Sequence, residues 1–470
     1  MRNALLATAA LAVGLRIVWL VQWQGSPLAM NPTPDGQMYM RWGAEIAAGD
    51  RLGTYTTLMH PGYAYLLGGL FRLGGPSVGL AVCLQMLTGA AAAVIAARAA
   101  GAAFGVVAAW VAGILSAAYL PAIFFEGLIG TASWIHVFHL AALAAMLQAA
   151  RRGWPARWCL LVGVAMGGST SMRASGALGF VVLLVWLAAH APRSIRGTAA
   201  GWCLAGWALV VLPFVVRLQV LEKRWGLDVA SASLMFHRSN MPGGAGYEPL
   251  PGEPMNPVGQ VEFARRESER ELGKPVTVVE VASARRREAV AAIARDPSGF
   301  LRRVTGRFVR VWHRREHGMN ADPDFFSRHL ALLRWPLPGF GFLGVLALIG
   351  TGVAVMHAAP GGRLAAGFLL AMMIPPLLFT VTADYRFPMV APALILAGGA
   401  GAWLLAQART GRWGRAGLAA GAAAAWMMLC NARDIGINPA GSHLNLGHAY
   451  RAAGRMEEAR AEYEKARAAK

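Results

Sequence analysis

"NPTPDGQMYMRWGAEIAAGD", residues 31–50, follows directly on the apolar opening of the chain. Asp35 stands four residues before Tyr39 and seven before Trp42, so one helical face carries a carboxylate and two aromatic rings. Asp50 closes the stretch with a second acid. An Asp after "NPTP" and ahead of a helical run is also the pattern of a helix N-cap. The two uses are compatible, because a cap at a membrane edge can still present an oxygen. Tyr39 and Trp42 likewise suit either a site or interfacial anchoring.

The choice depends on whether the chain crosses a membrane. It is 56% hydrophobic and only 14% charged, against roughly 25% charged in soluble domains. Its apolar residues fall in blocks of about 18–22, each able to span roughly 30 Å of hydrocarbon as helix. The blocks lie near 3–23, 76–97, 103–120, 131–150, 158–171, 174–190, 198–219, 337–356, 364–381, 387–407 and 416–430. They predict an all-α integral membrane bundle of about eleven spans. Arg98, Arg151, Arg152, Arg157, Arg193, Arg196, Arg363, Arg409, Arg412 and Arg415 all fall in connectors on one side, which the positive-inside rule makes cytoplasmic. The N-terminus is then cytoplasmic and the C-terminus external. The opening segment has the basic start of a signal peptide, but it lacks a small-x-small cleavage site and Arg16 interrupts it, so it reads as a retained helix. The formal charge of +20 finds its use in these connectors, with no call for nucleic acid. Cys83, Cys159, Cys203 and Cys430 all lie inside apolar blocks, without metal-ligand or disulfide spacing.

Two outer connectors, about 24–75 and 220–336, are too long for turns, and long ordered loops usually carry function. The second holds Gly/Pro-rich "NMPGGAGYEPLPGEP" and amphipathic helical runs. One of these, "FLRRVTGRFVRVWHRREH", puts Phe300, Leu301, Val304, Phe308, Val311 and Trp312 near the 3.6 period. Arg302, Arg303, Arg307, Arg310, Arg314 and Arg315 fill much of the rest, as in a helix lying on anionic headgroups or gripping a lipid phosphate. Residues 1–430 form the membrane domain and 431–470 a polar helical tail. In the tail Leu446, Gly447, Tyr450, Gly454, Ala459, Tyr463 and Ala466 have tetratricopeptide spacing. A single such unit cannot bury its own apolar face. It must dock on the rest of the chain, on a second copy or on another partner.

Further candidates gather at the outer span ends. Glu126, in "YLPAIFFEGLIGTASW", is a carboxylate at membrane depth, which marks either a functional site or a paired charge. Arg173, in "STSMRASG", is its candidate partner. Arg386, in "TADYRFPM", adds a second cation, and His60, in "LMHPGYAYLL", ends the first outer loop. His136 and His139 share a helical face, but no third ligand matches them and they read as packed histidines.

Taken together, these segments resemble GT-C membrane glycosyltransferases, the group that includes protein O-mannosyltransferases and aminoarabinose lipid A transferases. Asp35 with Tyr39 in the first outer loop is similar to that group's acid-and-tyrosine pattern. "HPGYAYLLGGLFRLGG", "YLPAIFFEG" and "GGSTSMRASG" resemble later segments in order. "LMFHRSNMPGGAGYEPLPG" resembles its "GNNP…G.Y" loop, with Asn240 at the matching Asn. "REHGMNAD" and "DYRFPMVAPALIL" bring Glu316, Asn320 and Arg386. Two departures stand out: Asp35-Gly36 where many relatives have Asp-Glu, and "HRSN" in place of the "GNN" start. A tetratricopeptide tail also occurs in bacterial relatives.

The resemblance implies a GT-C bundle in the cytoplasmic membrane that takes a sugar from a polyprenyl-phosphate donor on the outer face. The acceptor would be a protein, a glycan or a lipid, with membrane lipids around it and a protein partner possible through the tail. No cofactor is required by such a reaction, and a divalent cation is left open. A phosphate leaving group needs cations rather than a general acid, and the attacking hydroxyl needs a base. Asp35 is the expected base. Glu126 would add a polar contact or orient a neighbour, and Arg173 and Arg386 would hold the phosphate. Tyr39, Asn240 and His60 would line the site. Attack without a covalent intermediate inverts the anomeric centre. A transporter or flippase instead predicts charges near the midplane and repeated halves. A silent scaffold would leave only the tail with a role. No nucleotide-binding glycine motif is present.

Overall fold

The computed structural model describes residues 1–470 apart from 51, 53–57, 224, 228, 245–252, 255, 256, 319, 320, 433–438 and 470. Asn320 and residues 245–252 of the Gly/Pro-rich loop therefore lie outside the described residues.

The chain is 81% helical, with no strand among the described residues. The first half runs α1 (Arg2–Gln24), α2 (Pro34–Ala48), α3 (Gly62–Gly74), α4 (Val78–Phe104), α5 (Val106–Ala118), α6 (Leu120–Glu126), α7 (Ala132–Arg151), α8 (Ala156–Met172), α9 (Gly176–His190) and α10 (Arg193–Glu222). The second runs α11 (Ala230–Asn240), α12 (Pro257–Leu272), α13 (Val278–Arg295), α14 (Pro297–Val311), α15 (Pro323–Phe326), α16 (Phe340–Met356), α17 (Pro360–Leu378), α18 (Ala383–Arg386), α19 (Val390–Arg409), α20 (Trp413–Cys430), α21 (Pro439–Ala452) and α22 (Met456–Ala468).

Each apolar block of the sequence forms a helix, and the helices differ in length. Among the described residues six helical runs have both the length and the apolarity to cross a membrane: α1, α4, α7, α10, α17 and Ala383–Arg409. α5 and α6, bent by 49° at Tyr119, make a seventh if taken as one. α9 and α16 are apolar but shorter, at 15 and 17 residues. α9 is cut short where the chain turns at Arg173–Ser175, a turn that matters below.

The bundle packs through small side chains. Ala92, Ala93, Ala96 and Ala97 of α4 and Ala108, Ala109 and Ala112 of α5 are buried inside the bundle, where α4 packs on α5 and, through Ala92 and Ala96, on α7 and α19. Lipid is as apolar as the helix surface, so close backbone approach replaces the hydrophobic effect as the source of helix association.

Arg16, which interrupts the first apolar block, is 3% exposed. Its Nε donates to Glu126 Oε2 at 2.7 Å and its Nη2 to Oε1 at 2.6 Å. Its Nη1 donates to the carbonyls of Ala12 and Ala117. The two-pronged geometry satisfies both charges where neither is hydrated. Gly89 of α4 makes room for the pair, since a Cβ there would collide with the Glu126 carboxylate.

The arginines of α14 divide between its two faces. Asp296 caps it, accepting from Gly299 N at 2.8 Å. Arg303 and Arg307 turn inward: Arg303 Nη2 donates to the Asn240 carbonyl at 3.1 Å, and Arg307 Nη1 to Asn240 Oδ1 at 3.2 Å and the Leu377 carbonyl at 2.9 Å. Arg302, Arg310 and Arg314 remain exposed.

The tail helices α21 and α22 pack on each other and on the chain's own body. Leu446 is buried in the main core, and His443 meets Phe325 edge-on at 4.8 Å. α21 lies against the short turn Pro27–Met30, at the end of the bundle where α1 emerges. The helix pair thus finds cover on the body of its own molecule.

Candidate functional site

The site starts at the entry to α2. After the turn at Pro27–Met30, Asn31 takes a left-handed backbone (φ 53°), which its short amide tolerates better than most side chains. Thr33 then caps α2, its Oγ1 accepting from Gly36 N at 3.2 Å, with Pro34 in the first helical position. The cap expected of Asp35 thus belongs to Thr33. Asp35 comes one position inside the helix, where the exposed N–H groups favour a negative charge. Gly36, the departure from Asp-Glu, is required here, because any Cβ would run into Asn31 Oδ1 and Thr33 Oγ1.

One turn on, Tyr39 is buried. Its hydroxyl donates to the His60 carbonyl at 3.3 Å, and its ring stacks on Trp42 (6.4 Å) and meets Tyr63 edge-on (5.1 Å). Burial, and next the Asp35 carboxylate, push the Tyr39 hydroxyl well above its ordinary pKa, with Arg173 pulling the other way. Tyr39 therefore acts as a neutral hydroxyl. Trp42 is fully buried under the Arg217 guanidinium, so neither ring is an interfacial anchor.

Asp35 and Tyr39 line a cavity of about 370 Å³. His60 joins them from the first long loop, and Arg238, Gln260 and His317 from the second. The turn 128–132 after α6, the turn 172–175 after α8, the end of α17 and the pair Asp384–Tyr385 complete the wall. Arg173 is held in place from two sides: its Nη1 donates to the Asp384 carbonyl at 2.7 Å, and its guanidinium lies 4.7 Å over the Tyr385 ring. It forms no salt bridge among the described residues, although the Asp384 carboxylate lies within reach of its charge, and it lines the cavity. His60 Nε2 accepts from Ala174 N at 3.4 Å, tying the first loop to the Arg173 turn. The cavity thus combines the carboxylates of Asp35 and Asp384, the guanidinium groups of Arg173 and Arg238, and aromatic walls.

Three other candidates lie elsewhere. Glu126 is paired with Arg16 and not, as expected, with Arg173, and it is 2% exposed and absent from the cavity wall. Arg386 is 3% exposed, paired with Glu316 at 2.6 Å and seated on the Phe340 ring, with the Arg315 carbonyl accepting from its Nη2. These contacts consume the charge expected to meet phosphate. Asn240 is fully buried, its amide donating to the carbonyls of Phe236 and Leu378 and its Oδ1 accepting from Arg307. It ties α11 to α14 and α17 behind the cavity instead of lining it. His139 is committed to the Pro388 carbonyl and Ser169. Among the described residues no three His, Cys, Asp or Glu side chains gather as a metal set.

The sequence reading passed over Asp384, Tyr385, Arg238 and His317. Asp384 sits two residues before the Arg386 that drew attention, and its signal was an acid at the start of an apolar helix. Arg238 sits in the divergent "HRSN" and forms a buried ion pair with Glu253, while burial lowers its pKa to about 10.

No protein-family model matches the chain, and no curated protein matches it by sequence. Solved structures do match. The chain resembles the archaeal oligosaccharyltransferase AglB from Archaeoglobus fulgidus, solved with an inhibitory peptide and a dolichol-phosphate, at 14% identity and a TM-score of 0.51. That match covers 99% of this chain and 55% of the archaeal one, so the chain spans about half the length of that relative. It also matches ArnT from Cupriavidus metallidurans bound to undecaprenyl phosphate, at 14% identity, 99% and 75% coverage and a TM-score of 0.48. The first match shows the fold alone, the helical membrane fold it shares with that oligosaccharyltransferase.

Proposed function

We propose that the chain is a GT-C glycosyltransferase of the cytoplasmic membrane, moving a sugar from a polyprenyl-phosphate donor to an acceptor hydroxyl on the outer face. The observation that carries this reading is the shared cavity of Asp35 and Arg173, with the Arg173 guanidinium held in place by a carbonyl and an aromatic ring and in no salt bridge among the described residues. The fold shared with an enzyme solved with dolichol-phosphate supports it. So does the place of the charges, at helix ends and in the long loops, where a transporter would need them at the midplane.

In this reading the Asp35 carboxylate takes the proton of the acceptor hydroxyl as its oxygen attacks the anomeric carbon. The bond from that carbon to the phosphate oxygen breaks, and the electron pair leaves with the phosphate. Arg173 meets the charge gathering there, pre-set by Asp384 and Tyr385 so that it need not reorganise. Tyr39 and His60 line the sugar's surroundings. A single displacement inverts the anomeric centre. Glu126, Asn240 and Arg386 hold the bundle around the cavity and take no part in the reaction.

The test is incubation of the purified protein with a panel of polyprenyl-phosphate sugars, scoring free polyprenyl phosphate by mass. Release from one donor and none from the Asp35→Asn variant is expected, whereas an inert panel would end the reading. Arg173→Lys keeps the charge but loses the planar group that fits Tyr385 and the Asp384 carbonyl. It is expected to lower kcat by about 10²-fold, the scale of losing one oxyanion donor, with an unchanged melting temperature.

The tail shares the end of the bundle where α1 emerges and α2 begins. In the proposed orientation it is external. A cysteine at Lys465, a largely exposed position, is expected to react with an impermeant maleimide added to intact cells. Labelling only after the membrane is opened would invert the topology.

A further inference from the structure

A second cavity, of about 420 Å³, lies at the perimeter of the bundle. Its wall is made by Leu120 and Pro121 at the bend between α5 and α6, by residues 314–316, by Pro323 and Asp324, and by the first turn of α16. It shares no lining residue with the cavity of Asp35.

Its charges do not cancel. Glu316 is committed to Arg386 at 2.6 Å, and Asp324 to Arg315 at 2.9 Å. Arg314 is the cation left over. Its backbone N–H donates to Asn431 Oδ1 at 3.0 Å, but its exposed guanidinium has no carboxylate partner among the described residues. The wall itself holds two arginines and two carboxylates, but with the buried Arg386 that neutralises Glu316 the cluster has one excess positive charge, carried by Arg314, beside the apolar Leu120, Pro121, Phe340 and Phe342.

The apolar side is open to the surroundings of the bundle. Phe342 is 58% exposed on α16, and nearby in sequence Trp335 is 45% exposed. Exposed aromatic rings beside an exposed arginine at a helix end make the signature of the membrane–water interface. Arg302 and Arg310 on α14 extend the positive surface in sequence before it.

We propose that this cavity binds the phosphodiester headgroup of an acidic phospholipid, with Arg314 on the phosphate and the acyl chains along Phe342 and the outward face of α16. The site rests on the membrane reading of the chain but not on the glycosyl-transfer reading. The shared chemistry is a phosphodiester anion, and what distinguishes a lipid from a soluble phosphate is the apolar rim. A soluble ligand would gain nothing from Phe342.

The full-length protein in neutral detergent is titrated with phosphatidylglycerol or phosphatidylcholine of matched acyl chains, and bound lipid is counted by native mass spectrometry. Glycerol phosphate serves as the soluble competitor. Phosphatidylglycerol is expected to be retained over phosphatidylcholine by about fivefold, the contribution of one arginine near an anionic surface. Arg314→Gln, on an exposed side chain, removes that preference while the melting temperature stays unchanged. Phe342→Ala lowers retention of both lipids alike. Arg173→Gln, in the other cavity, leaves the preference intact. Millimolar glycerol phosphate does not displace the lipid.

Equal retention of the two lipids by the wild type overturns the proposal. So does a preference that survives Arg314→Gln. Loss of the preference in Arg173→Gln instead assigns the bound lipid to the Asp35 cavity and overturns it as well, and full displacement by glycerol phosphate overturns the lipid reading. An inert donor panel leaves this experiment untouched, so failure of one reading is distinguishable from failure of the other.

Discussion

Asp35→Asn is expected to lower sugar transfer by about 10²- to 10⁴-fold, the range lost when a positioned base is removed, while the protein stays folded and still binds donor. The structure explains why the fold should survive. Thr33 caps α2, so the amide at position 35 disturbs neither the cap bond to Gly36 nor the Tyr39 contacts one turn away. Asn keeps the shape and loses the charge, and with it the ability to take a proton. Thr33→Ala is the matching control: it costs about 1 kcal/mol of helix stability and leaves the carboxylate in place. Single-turnover release of lipid phosphate, read with the melting temperature, separates the two. Undiminished release by Asp35→Asn would remove the base from the mechanism.

The largest effect on stability is expected at Glu126→Gln. It strands the Arg16 guanidinium inside the bundle, and breaking a buried ion pair from one side costs about 3–5 kcal/mol. Unfolding in detergent, followed by intrinsic fluorescence, should show a markedly lower midpoint. The double variant Arg16→Met/Glu126→Leu should recover most of the loss, because it removes both charges and leaves apolar volume behind. Transfer by the molecules that remain folded should be unchanged. If Glu126→Gln instead left stability intact and abolished transfer, Glu126 would return to the reaction.

That contrast shows what was legible in the sequence. Apolar block length located the long apolar helices of the bundle, because bilayer thickness leaves few alternatives. The positions of the blocks then brought Asp35, Tyr39, His60 and Arg173 into one cavity, since all four fall where the chain leaves an apolar stretch on the same side. Helix rotation was not legible. Arg16 and Glu126 are 110 positions apart, and nothing in either segment says which face turns inward, so the acid was matched with Arg173. For the same reason Arg386 was read as a phosphate ligand, when its guanidinium is used up by Glu316, a carbonyl and a phenyl ring. Among the described residues six helices, or seven with the bent pair, reach the length and apolarity of a span, and a turn such as Arg173–Ser175 keeps α9 shorter within an apolar run.

The docking of α21 on Pro27–Met30 has a consequence in time. Arg455 and Met30, which meet at that contact, are 425 positions apart. At ribosomal rates of about 5–20 residues per second, the first loop waits roughly 20–85 s for the segment that covers it. Until then the threshold of α2 is bare. Every newly inserted copy passes through a stage with its helices threaded and its entrance unfinished, the stage at which a chaperone or a protease would meet it.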